Sequence, residues 1–274
     1  MDKIKLQIVQ KHITHEIRNL RKFYPGKGLL DNVMPIPVMI ISHYSNPDYT
    51  VRCVESIDHP VEKLVIIQTG PDSLMPKIDR EHVHIKLPEG GYQAAINLGI
   101  KTFPAPWWLL VTNDIAFAPG DLLKMACAAQ HHANDFVAFW GNHTMAYWIW
   151  TTRGINKIGL YDENLHPAYC EDTDWLYRRS LTDEQICLVS DVHALHGSSE
   201  SAGSDVGATI KASQELNDKN EKTFLGNMDY YARKWGGQCA EERFRTPFNE
   251  PLPIDYWKFD PAMRVRQHWG NIKL

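Results

Sequence analysis

The chain has 274 residues, 43% hydrophobic and 23% charged, with a formal net charge of −4. That balance supports a packed core, excludes an intrinsically disordered chain, and suits one large domain with extensions. No long Lys/Arg block is present, so the composition carries no footprint for nucleic acid. The five cysteines (Cys53, Cys127, Cys170, Cys187, Cys239) are widely spaced and include no Cys-x-x-Cys. They argue against a disulfide framework or a zinc site and for a reducing, cytoplasmic setting. The first twenty residues are charged throughout and lack the apolar core of a signal peptide. No run approaches the roughly 18 apolar residues of a spanning helix, so no transmembrane segment is expected.

Residues 1–22 place Ile4, Ile8, Val9, Ile13, Ile17 and Leu20 at helical spacing. This reads as an amphipathic helix that packs on the body or mediates a homodimer, ended by Tyr-Pro-Gly-Lys-Gly at 24–28. From Pro35 the pattern alternates. Short apolar runs at 37–42, 63–70, 82–88 and 107–117 read as strands. Helical periodicity falls between them at 47–57 and 90–103, and again at 120–132. That alternation predicts an α/β fold with a mainly parallel, Rossmann-like sheet flanked by helices. Aromatic-rich stretches over 135–153 read as two further strands, and 186–196 as another. The Gly/Ser-rich segment 197–207 reads as a mobile loop, and a helix is expected over about 208–235 before Lys-Trp-Gly-Gly. The boundaries implied are an N-terminal helical arm (1–34), a main domain (35–237) and a C-terminal helical or irregular extension (238–274).

In such sheets ligands meet the carboxyl ends of the strands. Those ends are Ser42-His43-Tyr44, Gln68-Thr69-Gly70 and Thr112-Asn113-Asp114. Asp114, after an apolar strand, suits a divalent cation or a simple turn cap. Glu171, Asp172 and Asp174 crowd three carboxylates into four residues ahead of a helical run expected to begin near Trp175. They suit a metal, a general base or a helix cap, with Thr173 or Asp174 the expected caps. The expected glycine and distal glutamate of a calcium loop are missing. His196 ends a strand before the Gly/Ser loop, with His193 as a near competitor. Gly90 and Gly91 open a helix that carries Asn97, which suits close approach to a phosphate or sugar. Neither a dinucleotide fingerprint nor a P-loop is present. Trp148 and Trp150 suit acceptor-sugar stacking or core packing.

Taken in order, these segments resemble the family 2 inverting glycosyltransferases of the GT-A fold. PVMIISHYSNPDYTVRCVESI is similar to the family's first strand and helix, and GGYQAAINLGI to its Gly…Ala…Asn-x-Gly helix. LLVTND resembles its Asp-x-Asp-type motif. GLYDENLHPAYCEDTDWLYR resembles its Gly-Phe-Asp-Glu…Glu-Asp-x-Asp…Arg segment, ALHGSSES its His motif, and YYARKWGG its Lys-Trp-Gly. The resemblance covers roughly residues 36–237. It implies Asp172 as catalytic base with Glu171 beside it, and Asp114 and His196 at a Mn²⁺ or Mg²⁺ site. Ser42, Tyr44, Gln68, Gly91, Asn97, Thr112 and Asn113 then line the nucleotide-sugar donor, a UDP-sugar by preference. The acceptor is a glycan or glycoconjugate, near Trp148 and Trp150. Two positions depart from the pattern. Thr112 replaces the first acid of the metal motif, and Gln68 stands where an Asp usually contacts the nucleotide. The competing readings are a non-catalytic carbohydrate- or nucleotide-binding protein on the same fold, and a sugar nucleotidyltransferase.

Overall fold

A computed structural model describes residues 20–88, 90–142, 145–197 and 214–251. The helix expected over 1–22, the loop at 197–207 and the tail beyond 251 fall wholly or mostly outside those residues. Within them, eight strands form one sheet in the order β1-β9-β7-β8-β5-β2-β3-β4. They are β1 (Arg21–Phe23), β2 (Met39–His43), β3 (Leu64–Gln68), β4 (Val83–Lys86), β5 (Trp107–Thr112), β7 (Ala138–Trp140), β8 (Tyr147–Thr151) and β9 (Ile186–Val189). Every neighbouring pair is parallel except the two made by β8, which runs against β5 and β7. A separate antiparallel pair joins β6 (Ile115–Ala116) to β10 (Leu195–His196).

The central strands are apolar without interruption because both faces are covered. Alternate side chains go to opposite cores. Met39 and Ile41 join Leu109 and Val111 on one face, while Ile40 joins Val65, Ile67 and Leu110 on the other. Helices α1 (Pro47–Glu55) and α3 (Asp121–His132) close the first face through Cys53, Val54, Leu122 and Met125. Helices α2 (Tyr92–Thr102) and α5 (Glu171–Ser180) close the second through Ala95, Ile96, Trp175 and Leu176. A third cluster, of Leu165, Tyr230, Tyr231, Trp235 and Cys239, docks the end of α6 (Gln214–Trp235). No helix among the described residues is long and apolar enough to cross a membrane.

Four expectations need correction. Residues 21–23 are a strand paired in parallel with β9, so the end of the expected arm belongs to the main sheet. The strand region expected to reach Arg153 stops at Thr151, whose Oγ1 accepts from Gly154 N at 3.0 Å and starts α4 (Thr152–Lys157). The helix expected near Trp175 begins at Glu171, after Cys170 in the left-handed region at φ 68°. Thr173 and Asp174 therefore sit inside the first turn and cap nothing. Trp148 and Trp150 are both 0% exposed. Trp150 stacks on Trp175 at 5.0 Å, and Trp148 meets the same ring edge-on at 5.1 Å. Neither indole has a face free for an acceptor sugar, because sheet and α5 cover both.

Candidate active site

One half of the site is a corner made by two chain segments about eighty residues apart. β5 ends at Thr112 and β6 starts at Ile115, which leaves Asp114 in the turn between them. β10 places His196 opposite Ile115, and Gly197 N donates to the Asp114 carbonyl at 2.9 Å. The result sets His196 Nε2 3.3 Å from Asp114 Oδ2. The Thr112 hydroxyl donates to the other oxygen, Oδ1, at 2.7 Å. Arg52 of α1 donates from Nη2 to the Asp114 carbonyl at 3.2 Å and to the Gly197 carbonyl, tying both strands to the helix. Burial pushes the Asp114 carboxyl up, but the His196 hydrogen bond and charge, with the Thr112 hydroxyl, outweigh it and hold it below its ordinary range.

The donor set of this corner fits a hard or borderline divalent cation. Two cis ligands with bonds of about 2.1 Å lie roughly 3 Å apart, close to the observed separation. Thr112 occupies Oδ1 and leaves Oδ2 for an ion. No group of three His, Cys, Asp or Glu side chains converges for a metal among the described residues. The described residues thus offer two ligands here, and Thr112 acts on the carboxylate rather than as a third acid.

The other half is the first turn of α5. Glu171 is 7% exposed, and its Oε2 has no hydrogen-bond partner. Burial and then the charge of Asp172 push Glu171 well above the usual carboxylate range. Asp172 Oδ1 accepts from Thr173 N at 2.6 Å and from the Thr173 hydroxyl at 3.2 Å. Burial raises Asp172 as well, and those Thr173 contacts oppose the rise. Of the two adjacent acids, Asp172 is the less strongly raised. Asp174, in the same turn, is held low: burial would raise it, but Lys234 and Arg178 prevail.

The residues expected to line a donor divide sharply. Asn113 spends both amide hydrogens on the Ser45 carbonyl (2.8 Å) and Thr50 Oγ1 (3.0 Å). Thr50 in turn donates to His43 Nδ1 at 2.7 Å, because His43 Nε2 donates to the Leu74 carbonyl at 3.0 Å. Gln68 donates to the carbonyls of Pro71 (2.9 Å) and Gly70 (3.3 Å) and accepts from His84 Nε2 (2.9 Å). Asn97 donates to Tyr161 O and Glu163 Oε1 and accepts from Tyr161 N. The amide hydrogens of these three are used within the protein, where they shape the loops at the strand ends. Gly91 has a similar explanation: a Cβ there would lie 2.4 Å from the Pro167 carbonyl. Ser42 and Tyr44 remain at the end of β2. Gly70 lets the chain pass Tyr44, since a Cβ at 70 would sit 1.6 Å from the Tyr44 carbonyl oxygen.

Sequence reasoning missed Arg52 and Tyr92. The Tyr92 hydroxyl is buried beside that of Tyr161, and the two rings lie 5.9 Å apart. Burial first, then the charges of Glu171, Asp172 and Asp114, disfavour its ionisation. Its place at the head of the glycine-opened helix was the one available signal.

No family model matches the chain. A curated relative, a galactofuranosyl glycosyltransferase of Leishmania donovani, is 30% identical over 156 residues. That match takes in 50% of this chain but only 35% of the relative, so the chain spans about a third of that protein's length. Among solved structures, glucosyl-3-phosphoglycerate synthase from Mycobacterium tuberculosis, in complex with Mn²⁺, UDP and phosphoglyceric acid, aligns at a TM-score of 0.51 with 7% identity. It covers 76% of this chain and 84% of that one. GalNAc-T7 with UDP, GalNAc and Mn²⁺ also aligns at 0.51, with 10% identity, over 74% of this chain and 51% of that one. The chain has the GT-A glycosyltransferase fold.

Proposed function

We propose that this chain is an inverting glycosyltransferase that moves a sugar from a UDP-sugar to a hydroxyl of a glycan or glycoconjugate. The observation that carries this reading is the 3.3 Å pairing of Asp114 Oδ2 with His196 Nε2 at the carboxyl edge of a GT-A sheet. Asp114 and His196 would hold a divalent cation, which would neutralise charge on the departing diphosphate. Mixed oxygen and nitrogen ligation favours Mn²⁺ over Mg²⁺. Thr112 and Arg52 keep the Asp114 carboxylate and backbone in place. Asp172 takes the proton from the acceptor hydroxyl as that oxygen attacks the anomeric carbon on the face opposite the diphosphate. A single displacement of this kind inverts the centre. The raised proton affinity of Asp172 suits the role, since a base works best when its pKa approaches the working pH.

Because the Leishmania relative is a galactofuranosyl glycosyltransferase, galactofuranosyl and other hexosyl donors are the first to try. All five cysteines are free, which accords with a cytoplasmic location. Calorimetry with UDP, with and without Mn²⁺, tests the reading before any acceptor is known. UDP is expected to bind only with the ion, and Asp114→Asn to weaken that binding at least about tenfold. A panel of UDP-sugars then identifies the donor by transfer or slow hydrolysis. Absence of UDP binding with either Mn²⁺ or Mg²⁺ would sink the proposal.

A further inference from the structure

Behind the first turn of α5 lies a fully buried charge network that no step above uses. Lys234, near the end of α6, is 0% exposed. Buried lysines are rare and must be paired, because an isolated ammonium in the interior is too costly to keep charged. Lys234 Nζ donates to Asp162 Oδ2 at 2.8 Å and to Asp174 Oδ1 at 2.5 Å, and both aspartates are 0% exposed. Asp174 also accepts from Trp235 Nε1 at 2.8 Å and from Arg178 Nε at 2.9 Å. Asp162 accepts from the Tyr230 hydroxyl at 3.0 Å and from Asn164 N and Nδ2 at 2.9 and 2.8 Å. Arg178 reaches the carbonyls of Ile158 (2.5 Å) and Leu160 (2.8 Å). Two cations meet two carboxylates, and each of the four side chains has several partners.

The network joins three pieces of chain: α6, α5 and the loop 158–164. Hydrophobic packing alone lets a helix turn or slide by small amounts. A short ionic hydrogen bond inside a dry contact permits far less. Asp174 is the third acid of the same helical turn that carries Glu171 and Asp172. Fixing Asp174 therefore fixes where the other two point. From this geometry we propose that Lys234 is a positioning residue for Asp172: it sets the rotation of the first turn of α5 and so the aim of the base. This rests on the function proposed above. It adds that α6, which carries none of the candidate chemistry, determines catalytic rate and not donor affinity.

The test uses the full chain with Lys234→Met combined with Asp162→Asn. The double change removes one charge of each sign and leaves Asp174 paired with Arg178. Lys234→Met alone leaves two buried carboxylates with one cation, and it serves as the control for collapse of the fold. In the double variant, kcat for sugar transfer is expected to fall about 10- to 100-fold. Mn²⁺-dependent UDP affinity, set at the Asp114 corner, should change less than twofold. Hydrogen exchange at the amides of 173–176 should speed up at least tenfold relative to the β5 strand. A folded double variant with wild-type kcat, or with exchange in that turn unchanged, overturns the proposal. So does an equal loss of kcat and UDP affinity, which marks a general structural defect. If the wild-type chain turns over no UDP-sugar, the functional reading fails, and the exchange experiment still decides whether Lys234 holds the turn.

Discussion

Asp114 and Glu171 are both buried carboxyls at one candidate site, yet their surroundings push them in opposite directions. Asp114 has a histidine, a threonine hydroxyl and a partner strand, so its anion is stabilised despite burial. Glu171 has burial, an acidic neighbour and an oxygen with no partner, so its neutral form is favoured. Asp172 stands between them, raised but supported by Thr173. Depth of burial does not separate the acid proposed to hold the metal from those proposed to handle the proton. What separates them is which side chains were brought to meet each one.

The largest effect is expected from the middle case. Asp172→Asn removes the proposed base without changing shape, and transfer should fall roughly 10²- to 10⁴-fold. Mn²⁺-dependent UDP binding and the circular dichroism spectrum should stay as in the wild type. In the wild type the acidic limb of kcat against pH should lie above the usual aspartate range, since the base works only when ionised and its proton affinity is raised. Near-normal turnover in Asp172→Asn would transfer the role of base to Glu171.

A smaller effect, of opposite sign for stability, is expected from Glu171→Gln. A carboxyl whose folded pKa is raised supports the fold fully below its unfolded pKa, and that support is lost as pH rises through the folded value. Gln has no charge to bury, so the variant should melt higher than wild type at pH 8, with the gap closing toward pH 4. Melting curves across that range provide the check, and an equal shift at every pH would contradict the account. The smallest effect on activity is expected from Trp150→Phe. It should cost about 1–3 kcal/mol of stability through lost core packing and leave acceptor KM unchanged. A large rise in acceptor KM would restore the indole to the site.

Much of the frame was legible in the amino-acid order because its causes are local. β2, β3 and β5 are unbroken apolar runs for the simple reason that both faces are covered. Asp114 was legible because a carboxylate that ends such a run must sit at the sheet edge. The start of α5 was not, because Cys170 adopts a left-handed conformation that its side chain does nothing to advertise. Trp148 and Trp150 misled because aromatic alternation on a strand reads the same whether the face meets sugar or protein. Gln68, Asn97 and Asn113 were placed on the donor by position, yet their hydrogen bonds go to protein partners. Several of those partners, such as Tyr161 for Asn97 and Ser45 for Asn113, lie more than sixty residues away. Lys234 carries no local sign of burial at all.

The two-residue pairing of β6 with β10 also gives the site a place in time. A ribosome that has released everything through β9 has already supplied all eight strands of the main sheet, yet His196 is still inside the exit tunnel. The Asp114 corner therefore closes only after every strand of that sheet has been synthesised. The two side chains proposed to hold the cation thus come together only after the strands that position Asp114 have been made.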